Sequence, residues 1–333
     1  MPGFAVKRAL AAGFGITLIA ILGGGCITWL PLGDPLTALP PPDMKPAFAG
    51  SSSELRGGRR LEHVRLDAQG LGQIGIIVSL PEPLPDRKLP LVVVLGGLAT
   101  GEHNIRHITA IGENAVIGYD WPIKTYMPTG LALLRFVLEA HDCVLAIPGQ
   151  VATVIRWAQG QDWADPSRVS LLGFSLGALA VPAAQHLAAQ HDALIGWTVL
   201  AYGGAPIGAL VEAHPGLHPR WLALVLGRLA DLALWPVEPS AHLTHLVGHF
   251  LVLEGRSDQF VPAPAAARMR ELTPQPKRIV AFESGHMGVG PDQKRLLEDI
   301  MAESRTWLIG EGAVNPLPAT EVGNRAALPE IQR

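Results

Sequence analysis

A mainly parallel α/β sheet with helices on both faces and a helical cap insertion is the fold class that this 333-residue sequence predicts. Three observations predict it. Short apolar runs of strand length recur at 91–95, 169–172, 250–254 and 278–282. Stretches of helical length and Ala/Leu composition separate several of them, and alternating strands and helices build a parallel sheet buried on both sides. The runs at 169–172, 250–254 and 278–282 each open into a loop carrying Ser, Asp or His, and strand ends of a parallel sheet converge on one edge.

Taken in chain order, residues 61–66 form a first strand, with Asp67 opening the turn after it, and 73–80 pair with it as a hairpin whose turn the intervening glycines supply. A strand at 91–95 follows a Pro-rich loop, and 115–120 form a further short strand. Helices are expected at 131–139 and 149–159, while 143–147 reads equally as strand or helix. A strand at 169–172 leads through a sharp turn into a helix at 178–189, and 193–201 is the next strand. Almost fifty residues then precede the strand at 250–254, far more than a crossover helix requires. Residues 204–247 are therefore expected to form a cap, centred on a helix at 221–235 bounded by Pro219 and Pro236. That helix is apolar around most of its circumference, with Arg228 and Asp231 on one narrow polar stripe. It must bury most of its surface or meet an apolar ligand or a bilayer. Trp221, Leu224 and Leu232 are its candidate substrate-lining residues.

The ends of the chain read differently. Lys7 and Arg8 precede an uncharged apolar run at 9–22, the layout of a secretory signal, and Gly23-Gly24-Gly25-Cys26 resembles a lipoprotein cleavage region in which Cys26 is lipidated. Uncleaved, the apolar stretch continues to residue 32 and is long enough to span a bilayer, which takes about 20 apolar residues. A plain cleaved signal is the third alternative; in each the expectation is export, and in the first two the protein is membrane-anchored through residues 1–32 and faces the periplasm or cell exterior. Residues 33–60, rich in Pro, Ser and Gly, read as a flexible linker; 61–310 as the folded catalytic domain; 311–333 as a tail. One domain of about 250 residues suits an α/β sheet. A net charge of −3 with signs mixed along the chain gives no nucleic-acid footprint. No phosphate-binding or dinucleotide-binding glycine loop is present. The pair Cys26 and Cys143 gives no expectation of a structural disulfide.

The chemistry is concentrated in three places. Gly173-Phe174-Ser175-Leu176-Gly177 sits between strand and helix with a serine at the apex. The turn forces unfavourable backbone angles on that serine, and the glycines let strand and helix approach. Its hydroxyl is thereby held at a helix N-terminus, where partial positive charge favours an oxyanion. A nucleophilic serine needs a base, and the base needs a carboxylate. Asp258 and His286 each lie just past the end of a strand, although Glu254 is a second acidic residue near the first of these. His103/His107 and His214/His218, at i,i+4 spacing, and His242/His245/His249 match metal-ligand spacings. None has a well-placed acidic or thiolate set, so no metal and no organic cofactor is expected.

In the order Ser175, Asp258, His286, and over roughly residues 61–309, the sequence resembles the α/β-hydrolase superfamily. It is most similar to its dienelactone hydrolase and prolyl oligopeptidase-like branch through Asp165-Pro166-Ser167-Arg168-Val169 ahead of the elbow strand. The resemblance implies that Ser175 is the nucleophile, His286 the base and then acid, and Asp258 its orienting carboxylate. It also implies an oxyanion hole from the N–H of Leu176 and one from the loop after 91–95, at Gly97 or Leu98. Many members carry His before the first glycine of that loop, and here the position is Leu95. The implied activity is hydrolysis of small carboxylic esters or thioesters, and the apolar cap helix adds the expectation of an apolar acyl part. An exported peptidase of the prolyl oligopeptidase kind and a non-catalytic, membrane-tethered binding protein are the alternatives. The sequence leaves the oligomeric state open.

Overall fold

The computed structural model describes residues 33–97, 101–108, 112–122, 131–289 and 293–317. The expected signal or anchor segment at 1–32, with Cys26, lies outside them, as does Leu98. Among the described residues nine strands form one sheet: β1 (Ala47–Arg56), β2 (Arg59–Ala68), β3 (Gly72–Pro81), β4 (Leu89–Leu95), β5 (Ala115–Tyr119), β6 (Ala164–Phe174), β7 (Trp197–Ala201), β8 (His249–Gly255) and β9 (Lys277–Phe282). Their spatial order is β1-β2-β3-β5-β4-β6-β7-β8-β9. The first three and the β3–β5 junction are antiparallel, and every pairing from β5 to β9 is parallel.

The core lies on both sides of this sheet, as the unbroken apolar strands require. Leu91, Val93 and Leu95 of β4 face one cluster, whereas Val92 and Val94 face the other, the period of two that a pleated strand imposes. Helices α2 (Leu131–Gln159) and α3 (Leu176–Gln190) cover the first face. Helices α1 (Gly101–His107) and α8 (Gln293–Gly310) cover the second, through Ile105 and through Ile300, Trp307 and Leu308.

Helix α2 runs through the stretch that sequence pattern splits in two, with Pro148 inside it. A proline deletes one N–H, normally at a cost of about 3 kcal/mol. Here Ile147, Val151, Val154, Ile155 and Ala158 on the same helix are buried against the sheet, and tertiary packing outweighs the local defect. Strand β7 begins at Trp197, four residues later than the apolar run suggests, because 193–196 serve as the approach from α3.

Two boundaries differ from expectation. The presumed linker contains β1, paired with β2 over its length with a register irregularity near Phe48. Nine of its ten residues are exposed and only Gly50 is half-buried, so no alternation of apolar and polar residues marks it. Backbone ladder bonds hold it instead. Ahead of it, the 3₁₀ turn Pro35–Ala38 brings Leu36 and Leu39 onto a third apolar cluster with Leu187, Leu226 and Ala230. Asp43 is tied to Thr153 Oγ1 and to the N–H of Gln69. At the other end, the expected tail begins too early. Ala313 and Val314 are buried, and Asn315 exchanges hydrogen bonds with Asn114, Glu113 and Arg168.

The insertion between β7 and β8 is a helical hairpin, α4 (Ile207–Ala213) and α5 (Arg220–Ala233), followed by short turns and α6 (Pro239–His242). Pro236 has no N–H to continue the α-helical ladder, so α5 ends two residues earlier than expected and the chain passes into the 3₁₀ turn Trp235–Val237. The two helices meet at Gly208 and Gly227: a Cβ on Gly227 would strike the Glu212 side chain and stand 2.7 Å from the Gly208 carbonyl oxygen. Asp231 accepts the N–H of Gly208 at 2.6 Å, and Arg228 Nε lies 3.9 Å from Glu212 Oε1. Asp231 thus serves the contact with α4 instead of a solvent-facing stripe shared with Arg228. Helix α7 (Ala263–Leu272) follows β8.

Candidate active site

Each element of the site is placed by a strand end. Strand β6 stops at Phe174, the N–H of Ser175 still bonds to Ala201 O of β7 at 2.8 Å, and α3 begins at Leu176. Ser175 has φ 54° and ψ −113°, angles a non-glycine residue adopts only where its surroundings impose them. What imposes them is close packing. A Cβ on Gly173 would stand 2.6 Å from Gly177 O, and one on Gly177 would run into Leu95 O at the end of β4. The loop beginning at Gly97 therefore starts beside the first turn of α3.

Two strands away, the loop after β8 folds on the carboxylate of Asp258. Its Oδ1 accepts the N–H groups of Phe260 and Val261 at 2.8 and 3.0 Å, which fixes the direction of Oδ2. Asp258 Oδ2 lies 2.7 Å from His286 Nδ1, and His286 Nε2 lies 2.8 Å from Ser175 Oγ. A carboxylate only accepts, so Nδ1 carries the proton and bare Nε2 receives the serine O–H. The Asp258 side chain is 2% exposed and that of His286 10%. Glu254, the other acidic residue near this strand end, turns to Arg270 at 2.5 Å. The Asp165 motif lies in the first half of β6, at the opposite end of the strand from Ser175, and is a clamp: Asp165 accepts from Ser167 and from Arg168, and Arg168 reaches Asn315. Burial works to raise the Asp165 pKa, but these hydrogen bonds hold it below the ordinary carboxylate value.

The imidazole of His286 is gripped by residues that sequence reasoning missed. Tyr202 meets it edge-on with ring centroids 5.8 Å apart, and Phe260 tilts against it at 5.2 Å. Tyr202 OH bonds Ser284 Oγ at 2.7 Å, and burial raises its phenol pKa. Tyr202 immediately follows β7, so the strand-end rule that singles out Ser175 applies to it as well. Above Phe260 stands His214 from the end of α4, at 5.5 Å, the only cap residue placed at the rim among these ring contacts. Trp221, Leu224 and Leu232, the expected substrate-lining residues, are exposed on the outward side of α5. The side facing the core carries Ala223, Leu226, Gly227 and Ala230. Outward placement follows from Gly208 and Gly227, which draw the small-residue side of α5 onto α4.

Among the described residues no three His, Cys, Asp or Glu side chains gather as a metal would need. His249 pairs with Glu311, whereas His242 and His245 pack on His186.

No protein-family model matches the sequence, and no curated protein matches it. Solved structures do match. An acetyl xylan esterase from Paenibacillus sp. R4 superposes with a TM-score of 0.59 at 14% identity, over 82% of this chain and 99% of that one. Acetyl xylan esterase 1 from a Thermoanaerobacterium species gives 0.54 at 14% identity, over 91% and 98%. A hyperthermophilic esterase from Pyrobaculum calidifontis gives 0.53 at 17% identity, over 93% and 94%. The fold is that of the α/β-hydrolases.

Proposed function

We propose that the protein is a serine hydrolase that cleaves carboxylic esters through an acyl-serine intermediate. One observation carries the reading: the unbroken line from Ser175 Oγ through both ring nitrogens of His286 to Asp258 Oδ2, with contacts of 2.8 and 2.7 Å. His286 Nε2 takes the proton from Ser175 as Oγ attacks the ester carbonyl. The charge that builds on the carbonyl oxygen is held by the N–H of Leu176 and by one from the loop at Gly97. Collapse breaks the bond to the leaving alcohol, which takes the proton from the imidazolium and departs. Water then repeats the sequence on the acyl-serine, with His286 again as base, and releases the acid.

Similar folds named as esterases support an ester substrate over a peptide. Two of them are named for acetyl groups, so the chain-length series is run from acetate upward. The aromatic flank of Phe260 beside His286 supports an apolar acyl part. In the test, the full chain is assayed on p-nitrophenyl esters of graded length and treated with a fluorophosphonate probe. Labelling of the wild type and its loss in Ser175→Ala is expected; equal labelling of both would contradict the nucleophile.

We also propose that the chain is exported and held at a membrane by residues 1–32, a reading supported by Lys7, Arg8 and the apolar run that follows. No helix among the described residues is long and apolar enough to cross a membrane. The mass of the mature N-terminus separates lipidation at Cys26 from an uncleaved span, and co-sedimentation of the full chain with vesicles tests attachment itself.

A further inference from the structure

Helix α5 presents an apolar face to solvent. At about 100° per residue, Trp221, Leu224, Val225 and Leu232 fall within an arc of about 100°. They are exposed by 65%, 45%, 47% and 44%. Ala223, Leu226, Gly227 and Ala230, on the opposite side, supply the buried contacts of the helix. The face is neither a packing surface nor an ordinary solvated one. Its single charged side chain, Arg228, lies at the middle of the arc with 81% of its side chain exposed, and the helix's one carboxylate, Asp231, is turned inward to Gly208. An aromatic residue, branched aliphatics and a cation on one outward stripe suit the boundary between phospholipid headgroups and acyl chains, where the guanidinium meets phosphate and the apolar groups leave water.

The location of this face decides what occupies it. The apolar segment at 9–32 joins the described chain at Gly33, and no flexible linker follows. Leu36 and Leu39 are packed in one cluster with Leu226 and Ala230 of α5, and the turn Pro35–Ala38 touches Trp235–Val237 just beyond the end of that helix. Leu138, 51% exposed, lies on α2 one turn before His141, whose Nε2 reaches Ala233 O at 3.0 Å. A chain that enters a bilayer at residue 32 therefore emerges at the foot of α5.

We propose that the outward face of α5 lies in the interfacial layer of an anionic bilayer, making a second membrane contact beside the N-terminal segment. This rests on the anchor proposed above. Docking also orients the site: the loop at 214–219 connects His214, at the rim beside Phe260, to the start of α5, so a seated α5 brings that rim to the headgroups. Esters dissolved in the membrane then reach Ser175 without crossing bulk water.

The experiment uses the full chain with vesicles of phosphatidylcholine and phosphatidylglycerol bearing brominated acyl chains, which quench only those tryptophans that enter the bilayer. Sedimentation reports the anchor, and the difference in quenching between wild type and Trp221→Phe reports α5. The expected result is co-sedimentation of both proteins, with Trp29 of the anchoring segment quenched in both and a further quenched component present in wild type and absent from Trp221→Phe. The exposed pair of changes Val225→Asp and Leu232→Asp, with the far-ultraviolet spectrum unchanged, is expected to lower that component about threefold or more. Co-sedimentation with equal quenching in both proteins overturns the docking and leaves the anchor standing. Absence of co-sedimentation overturns both. Shielding of Trp221 from iodide before vesicles are added also overturns it, because a second copy or the chain's own apolar segment then covers the face.

Discussion

A lone imidazole and a cluster of three sit on this sheet and its coverings, in opposite surroundings for a proton. At the sheet edge, His286 stands between a hydroxyl and a carboxylate, each ring nitrogen with a partner of the complementary kind. Within the first face, His242 is fully buried: its Nε2 bonds Pro236 O at 2.9 Å, and its Nδ1 lies 3.1 Å from Nδ1 of His186, which stacks on His245. The carbonyl fixes the His242 proton on Nε2, so His186 donates from Nδ1. With no carboxylate in hydrogen-bond contact among the described residues, an imidazolium there would face burial and a second ring at once. Burial foremost, then the neighbouring histidines, lowers the His242 pKa from 6.5 to about 4. Burial likewise lowers that of His186. The partner of the imidazole, more than the imidazole itself, separates the proposed base from a strut.

Substitutions at the two places pull the contrast apart. The largest effects belong to the first. Ser175→Ala or His286→Ala is expected to reduce kcat/KM on a p-nitrophenyl ester by on the order of 10³-fold or more, with thermal unfolding little changed. Asp258→Asn leaves the shape intact but offers Nδ1 the wrong partner, and a loss on the order of 10³–10⁴-fold is expected in the same assay. A full-activity Asp258→Asn enzyme would remove the carboxylate from the comparison.

The cluster of three is expected to show itself in stability. The folded-state pKa of His242 lies below its unfolded value, so the unfolded chain binds the extra proton first. Stability is then constant above about pH 6.5 and falls as the pH drops toward about 4, by on the order of 3 kcal/mol for the full shift. Urea unfolding at pH 7 and at pH 4.5 measures it. His242→Phe removes the titrating group and flattens this dependence, while stranding Pro236 O and His186 Nδ1 costs about 1–3 kcal/mol at pH 7. Unaltered acid sensitivity in that variant would place the titrating group elsewhere. The smallest effect falls on the grip around His286: Tyr202→Phe loses the bond to Ser284 and is expected to cost about 0.5–1.5 kcal/mol of stability, with only a minor change in ester turnover.

The parallel half of the fold was legible because its signals are local. Strand β4 is an unbroken apolar run, β6 and β8 carry shorter apolar runs at 169–172 and 250–253, and the elbow at Ser175 is written in five consecutive residues. Strand β1 was not legible, since its side chains face solvent and only its backbone is held. The continuity of α2 through Pro148 and the burial of Ala313 and Val314 depend on surfaces distant in sequence, which no short window contains.

Sequence alone determined the class of sheet, the apex serine and the candidates for its two partners, because backbone period, glycine placement and strand-end chemistry are properties of contiguous residues. Tertiary structure decided that Asp258 and not Glu254 meets His286, that Tyr202 and Phe260 hold the ring, and that the apolar face of α5 points outward. Those outcomes depend on which side of a helix two glycines draw inward and on where separate loops come to rest, and such geometry exists only once the sheet has assembled.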